Sequence, residues 1–238
     1  MGVGATAIRL CGERRVTIDD TVAPIGGVGG GAPIWSAATL PWRLAEAAAA
    51  GALAGVLMIL VWLDLRPDLP LAATQTFFWI KAVYPAAVAL CALAAATLLA
   101  RARRGGFRAM AGAGALACAM LIAAAVQASG ADAEALTAPD WPSAAACLGD
   151  ILVIAAPMLA LVAAGLRDVD LERPTPTGFA CGLFCGGVAA TVDGLHCWQG
   201  TYTFVGLWFT LAMLLCGAVG AGAVKLLARR RRFLAAAE

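Results

Sequence analysis

Phe77-Phe-Trp-Ile-Lys-Ala-Val-Tyr-Pro-Ala-Ala-Val-Ala-Leu-Cys-Ala-Leu-Ala-Ala-Ala-Thr-Leu-Leu-Ala100, followed at once by Arg101-Ala-Arg-Arg104, decides the fold. A bilayer core of about 30 Å requires roughly 20 helical residues at about 1.5 Å each, and positions 77–100 supply that length with a single charge, Lys81, near one end. Working outward, five further stretches meet the same requirement, near 44–63, 109–128, 146–166, 177–195 and 203–224. Breakers and charges fill the connections: Asp64 to Pro70, Arg101 to Arg108, Asp132 to Pro142, Arg167 to Pro176, and His196 to Tyr202. The expected fold is an all-α integral membrane bundle of six transmembrane helices over residues 43–227.

The composition agrees, since 62% hydrophobic residues, 13% charged residues and a mean hydropathy of +0.84 exclude an ordinary soluble protein. A net charge of +2 gives no face for nucleic acid, so direct nucleic-acid binding is not expected. The Lys and Arg residues instead follow topology. With the N-terminus inside, fifteen fall on inner segments and two, Arg66 and Lys81, on the outer side, which places both termini in the cytoplasm. Residues 1–42, polar and then Gly-rich from Gly26 to Ala32, read as a flexible cytoplasmic tail without an apolar stretch long enough for a secretory signal. Residues 228–238 read as a basic cytoplasmic tail, and Trp42, Trp62, Trp79, Trp141, Trp198 and Tyr202 suit interfacial belts. Glu46 and Lys81 lie close enough to helix ends to snorkel or face the interface.

Small residues recur at the spacing that lets helices approach closely, Gly51 and Gly55 in the first helix and Gly178, Gly182 and Gly186 in the fifth. Packing within one bundle accounts for them, a dimer interface being the alternative. The fourth and fifth helices form an antiparallel hairpin around the inner loop 167–176, so residues equidistant from its centre share a depth. Cys147 and Cys197 are so related, and so are Asp150 and Asp193. On the fourth helix Cys147 and Asp150 are i, i+3; on the fifth Asp193 stands i, i+3 and i, i+4 from His196 and Cys197. Two thiols, an imidazole and two carboxylates are thus expected to cluster at the outer surface. They are able to form a disulfide or to bind a soft or borderline metal ion transiently, and an inert interfacial cluster is the plain alternative. No CxxC, HExxH or second histidine strengthens either reading. Cys91 and Cys118 lie in mid-bilayer and Cys181, Cys185 and Cys216 in the inner halves of their helices, where packing is the expected role. Asp168, Asp170 and Glu172 make the inner loop acidic, either as a solvated turn or as a contact for a basic partner.

Leu65-Arg-Pro-Asp-Leu69 after the first helix, Phe78-Trp-Ile-Lys81 opening the second, a cysteine opening the fourth, Leu195-His-Cys197 ending the fifth and Phe204 to Trp208 opening the sixth resemble the NrsF family. These six-helix membrane proteins are negative regulators of extracytoplasmic-function sigma factors. The resemblance implies a non-enzymatic anti-sigma factor of the bacterial inner membrane. Its partners would be such a sigma factor and the lipid bilayer, and no resident cofactor would be required. It also implies that two outer-side cysteines, here Cys147 and Cys197, sense stress, heavy metals included. The chain departs from the family in its longer Gly/Pro-rich N-terminal segment and in Trp198 and Gln199 after the His-Cys pair, where an acidic residue is frequent. A membrane thiol oxidoreductase and, further off, a small-solute or metal transporter are the alternatives. The first would favour a CxxC pair and the second polar groups through the bilayer, and neither is in the sequence.

Overall fold

The computed structural model describes residues 35–63, 68–130, 141–167 and 169–235. Residues 1–34 of the expected N-terminal tail lie outside the described residues. The described chain is helical, with α1 Leu40–Met58, α2 Thr76–Ala100, α3 Gly105–Gly130, α4 Trp141–Leu166, α5 Pro174–Asp193 and α6 Thr210–Ala235. A one-turn helix, Leu69–Ala72, precedes α2, and a π-helical turn, Ile59–Leu63, extends α1. A second π-helical turn, Val205–Phe209, leads from the short helix Tyr202–Phe204 into α6. Six helical segments are long and apolar enough to cross a membrane, and they coincide with the six stretches read from the sequence. The expected limits were short at several ends; α3 is longer at both, and α6 continues through the basic run to Ala235. Leu, Ala and Arg there are strong helix formers, and cations in a last turn complement the helix dipole.

Local chemistry sets the starts. Ser36 and Thr39 satisfy one another before α1: the Ser36 N–H donates to Thr39 Oγ1 at 2.9 Å and the Thr39 N–H to Ser36 Oγ at 3.2 Å. Pro41 and Pro174 sit in the first turns of α1 and α5, where a missing N–H costs nothing. Thr201 caps the helix that leads into α6, accepting from the Phe204 N–H at 3.2 Å. Between α2 and α3 the chain reverses through Ala102 at φ 54°, the left-handed conformation, with the Arg103 N–H returning to the Leu98 carbonyl at 2.8 Å.

The centre of the bundle is α5, buried along most of its length and flanked by α2, α4 and α6. Its small residues explain this position. A Cβ on Gly178 would come within 2.6 Å of the Gly220 carbonyl oxygen, and one on Gly186 within 2.8 Å of Cys216 Cβ, so α5 and α6 touch backbone to backbone. Gly187 does the same toward α2, 2.8 Å from the Pro85 carbonyl oxygen. Gly55 meets Ile154 of α4 at 2.8 Å, and Gly51 faces Met158 of the same helix. These glycines therefore serve packing within the bundle, as expected. Leu53, Leu90, Ile122, Val126, Val153 and Val219 point outward and are exposed, giving the bundle an apolar periphery.

Candidate functional site

Where α5 ends, its last turn carries chemistry. The Asp193 carbonyl accepts from the N–H groups of both His196 and Cys197 at 2.9 Å, so the chain makes one more tight turn and folds Cys197 back over Asp193. Cys147, in the second turn of α4, faces them. The sulfurs of Cys147 and Cys197 and a carboxylate oxygen of Asp193 all lie within 4.8 Å of one another. Their exposures are 5%, 7% and 0% respectively. The Cys147 thiol donates to Asp193 Oδ2 at 3.5 Å, whereas Asp193 Oδ1 is buried without a hydrogen-bond partner. Hairpin depth and helical spacing, applied to the sequence, thus select three residues that the fold brings together.

Asp150 and His196, the other two predicted members, line the same cavity of about 130 Å³ but stand outside the tight group. Ser143, Trp198, Gln199 and Phe204 complete much of its wall. Of the predicted inner-loop acids, Asp170 and Glu172 are exposed at the far end of the bundle, and Asp168 lies outside the described residues. Cys181, Cys185 and Cys216 are buried in the α5–α6 contact, consistent with packing, while Cys118 is exposed on the apolar periphery.

One residue that sequence reasoning misjudged is Lys81. It does not snorkel: it is 2% exposed, and its Nζ donates to the Cys197 carbonyl at 2.6 Å and to the Gln199 carbonyl at 2.9 Å. The Phe209 ring, in the π-helical turn before α6, lies 5.9 Å from the ammonium. A lysine five positions into an apolar span was the available signal, because an ionisable group there is costly unless it has partners.

Cys147, whose thiol donates to Asp193 Oδ2, also neighbours the Cys197 sulfur. Its hydrogen bond to Cys197 holds that thiol below the ordinary thiol value against the opposing effect of burial, and the Lys81 ammonium adds to the effect. A lowered thiol, a second thiol and a carboxylate with an orphan oxygen form an S₂O donor set suited to a soft or borderline divalent ion, with the cavity beside them for a fourth ligand. The orphaned Oδ1 supports that fit, since a buried oxygen of this kind is costly unless something binds it.

Fold and site together define a bundle of six helices fit to span a membrane, with a buried dithiol–carboxylate cluster at one end. The chain belongs to the NrsF family, described as negative regulator of sigma F, whose model matches residues 31–229. It is 38% identical over 202 residues to the anti-sigma-F factor NrsF of Caulobacter vibrioides, covering 79% of this chain and 89% of that protein. It is 34% identical over 182 residues to the probable anti-sigma-F factor NrsF of Azospira oryzae, covering 75% and 84%. No solved structure matches the chain significantly.

Proposed function

We propose that the protein is an anti-sigma factor of the bacterial inner membrane, holding an extracytoplasmic-function sigma factor at the cytoplasmic face and releasing it when the Cys147–Cys197 site changes state. Membership of the NrsF family and the names of its relatives support the regulatory, non-enzymatic role. The excess of Lys and Arg supports an orientation with the end of the bundle bearing Arg101, Arg173 and Arg231 in the cytoplasm and the thiols outside. The observation that carries the sensing role is the convergence of two thiols and an orphaned carboxylate within 4.8 Å.

The stimulus that suits this donor set is a soft or borderline divalent metal ion bound by Cys147, Cys197 and Asp193. Oxidation of the two thiols to a disulfide, with two electrons and two protons passing to an oxidant, would act at the same place. Either event changes how α4 is held to the end of α5, and about 1.4 kcal/mol of coupling alters affinity for the partner tenfold. Asp170 and Glu172, exposed on the opposite loop, offer acidic contacts to a basic partner surface.

The test is co-purification of the cognate sigma factor with the detergent-solubilised protein, before and after addition of Cd²⁺. Retention under reducing, metal-free conditions and loss on metal addition are expected, with the loss blunted in Cys147→Ser and Cys197→Ser. Failure to retain any sigma factor would sink the anti-sigma assignment, and a normal metal response in the double Ser variant would sink the sensor.

A further inference from the structure

Among the described residues at the thiol end, Lys81 is a buried charged side chain that is not itself one of the sulfur and carboxylate donors. We propose that Lys81 is a positioning residue for the dithiol site: by clamping the Cys197 and Gln199 carbonyls to α2, it presents the Cys197 sulfur to Cys147 and Asp193. The inference rests on reading that site as the sensor and adds to it the element that keeps the site assembled.

The geometry supports the role from three directions. After the turn that closes on Asp193, the chain leaves helical structure until Tyr202, so the carbonyls of residues 197 and 199 are not part of a helix. The two Lys81 bonds, 2.6 and 2.9 Å long, supply partners across 116 and 118 residues of sequence. One of these acceptors belongs to Cys197 itself, so fixing that carbonyl fixes the peptide from which the reactive side chain projects.

The second support is the seat of Lys81 on α2. Pro85 stands four residues later and has no N–H, so the Lys81 carbonyl lacks the usual intrahelical donor. The end of α5 lies against this point: a Cβ on Gly194 would be 3.9 Å from the Lys81 carbonyl oxygen. Both ends of Lys81 therefore face the turn that carries Cys197, its carbonyl toward Gly194 and its ammonium beyond it. The third support is closure. The Phe209 ring near the ammonium and the residue's 2% exposure keep water from competing for the two carbonyls.

Groups that orient metal ligands without touching the metal typically contribute about 10–100-fold in affinity. The experiment compares wild type, Lys81→Met and Lys81→Arg in detergent, using a short dibromo thiol cross-linker that bridges Cys147 and Cys197 without any metal, and separately Cd²⁺ titration followed by the sulfur-to-cadmium charge-transfer band. Lys81→Met is expected to bridge several-fold less and to bind Cd²⁺ about 10–100-fold more weakly, with helical content retained and Lys81→Arg restoring much of both. If Lys81→Met does not fold, Lys81→Gln, whose amide keeps two neutral N–H donors on a shorter arm, takes its place with a smaller loss in the same direction expected. Bridging equal to wild type in a folded variant overturns the proposal. Absence of a thiolate–cadmium band in wild type would instead overturn the metal-sensing reading, leaving the bridging yield to decide the role of Lys81.

Discussion

Asp193→Leu should stabilise the protein while disabling the proposed sensor. Asp193 is fully buried, one of its oxygens has no hydrogen-bond partner, and the other accepts only from a thiol at 3.5 Å. An unsatisfied buried polar atom costs about 1–3 kcal/mol, and a weak thiol bond returns about 0.5 kcal/mol or more. Exchanging an unsatisfied buried polar group for an apolar one of similar size removes that desolvation cost. The adjoining cavity of about 130 Å³ gives the leucine branches room, and Lys81 keeps both carbonyl acceptors. The net expectation is a gain of about 1–2 kcal/mol, or about 2–8 °C in thermal midpoint for a chain of this size. The assay is a thermal scan in detergent for wild type and variant, paired with Cd²⁺ titration. A variant that unfolds at lower temperature, or one that keeps wild-type cadmium affinity, refutes the reasoning, because Asp193 would then be a structural prop or a bystander.

Other perturbations probe separate features. Gly182→Ala drives a Cβ into the Cys216 carbonyl and should cost about 1–3 kcal/mol, read as a lower thermal midpoint. Gly149→Ala, on α4 with open space where the methyl would go, should add about 0.5–1 kcal/mol in the same scan. Ala102→Gly relieves a left-handed alanine between α2 and α3 and should add up to about 1 kcal/mol. Alkylation of Cys197 should reach half its limiting rate at a lower pH than an ordinary thiol, because the thiolate is the reactive form and this thiol is held below its usual value. In Cys147→Ala that hydrogen bond is lost and the midpoint should move back up. A profile centred at the ordinary thiol value in wild type would contradict the expectation.

The six spans were legible because a bilayer imposes a length on any helix that crosses it, and apolar runs such as 77–100 meet that length whatever they pack against. The Cys147, Asp193 and Cys197 group was legible for a related reason: an antiparallel hairpin equates depth with distance from its turn, and i, i+4 spacing equates face. Depth and face do not determine how a helix is rotated toward a third neighbour. Asp150 therefore passed the same test as Asp193 yet lines the cavity wall without joining the donor group. Lys81 was misjudged because its partners are backbone carbonyls, which every residue has and which no side-chain pattern advertises.

The glycine contacts limit how the proposed signal would travel. Gly178, Gly182 and Gly186 press α5 against the backbone of α6, and Gly187 presses it against α2, so α5 has little freedom to slide on either. The α4 contact differs: Cys147 donates to Asp193 of α5 at the site, and Met158 and Ile154 meet α1 through side-chain atoms at Gly51 and Gly55. A metal ion that draws Cys147 toward Asp193 and Cys197 would thus move α4 against α5 and α6, and the motion would emerge in the loop between α4 and α5. There the Arg231 guanidinium of α6 donates to the Val169 carbonyl at 2.8 Å, across a cavity edge shared by Arg167 and Asp170. Arg231→Met should therefore leave cadmium binding at the thiols unchanged while altering sigma release. Unaltered release with normal cadmium binding would show that the route bypasses this loop.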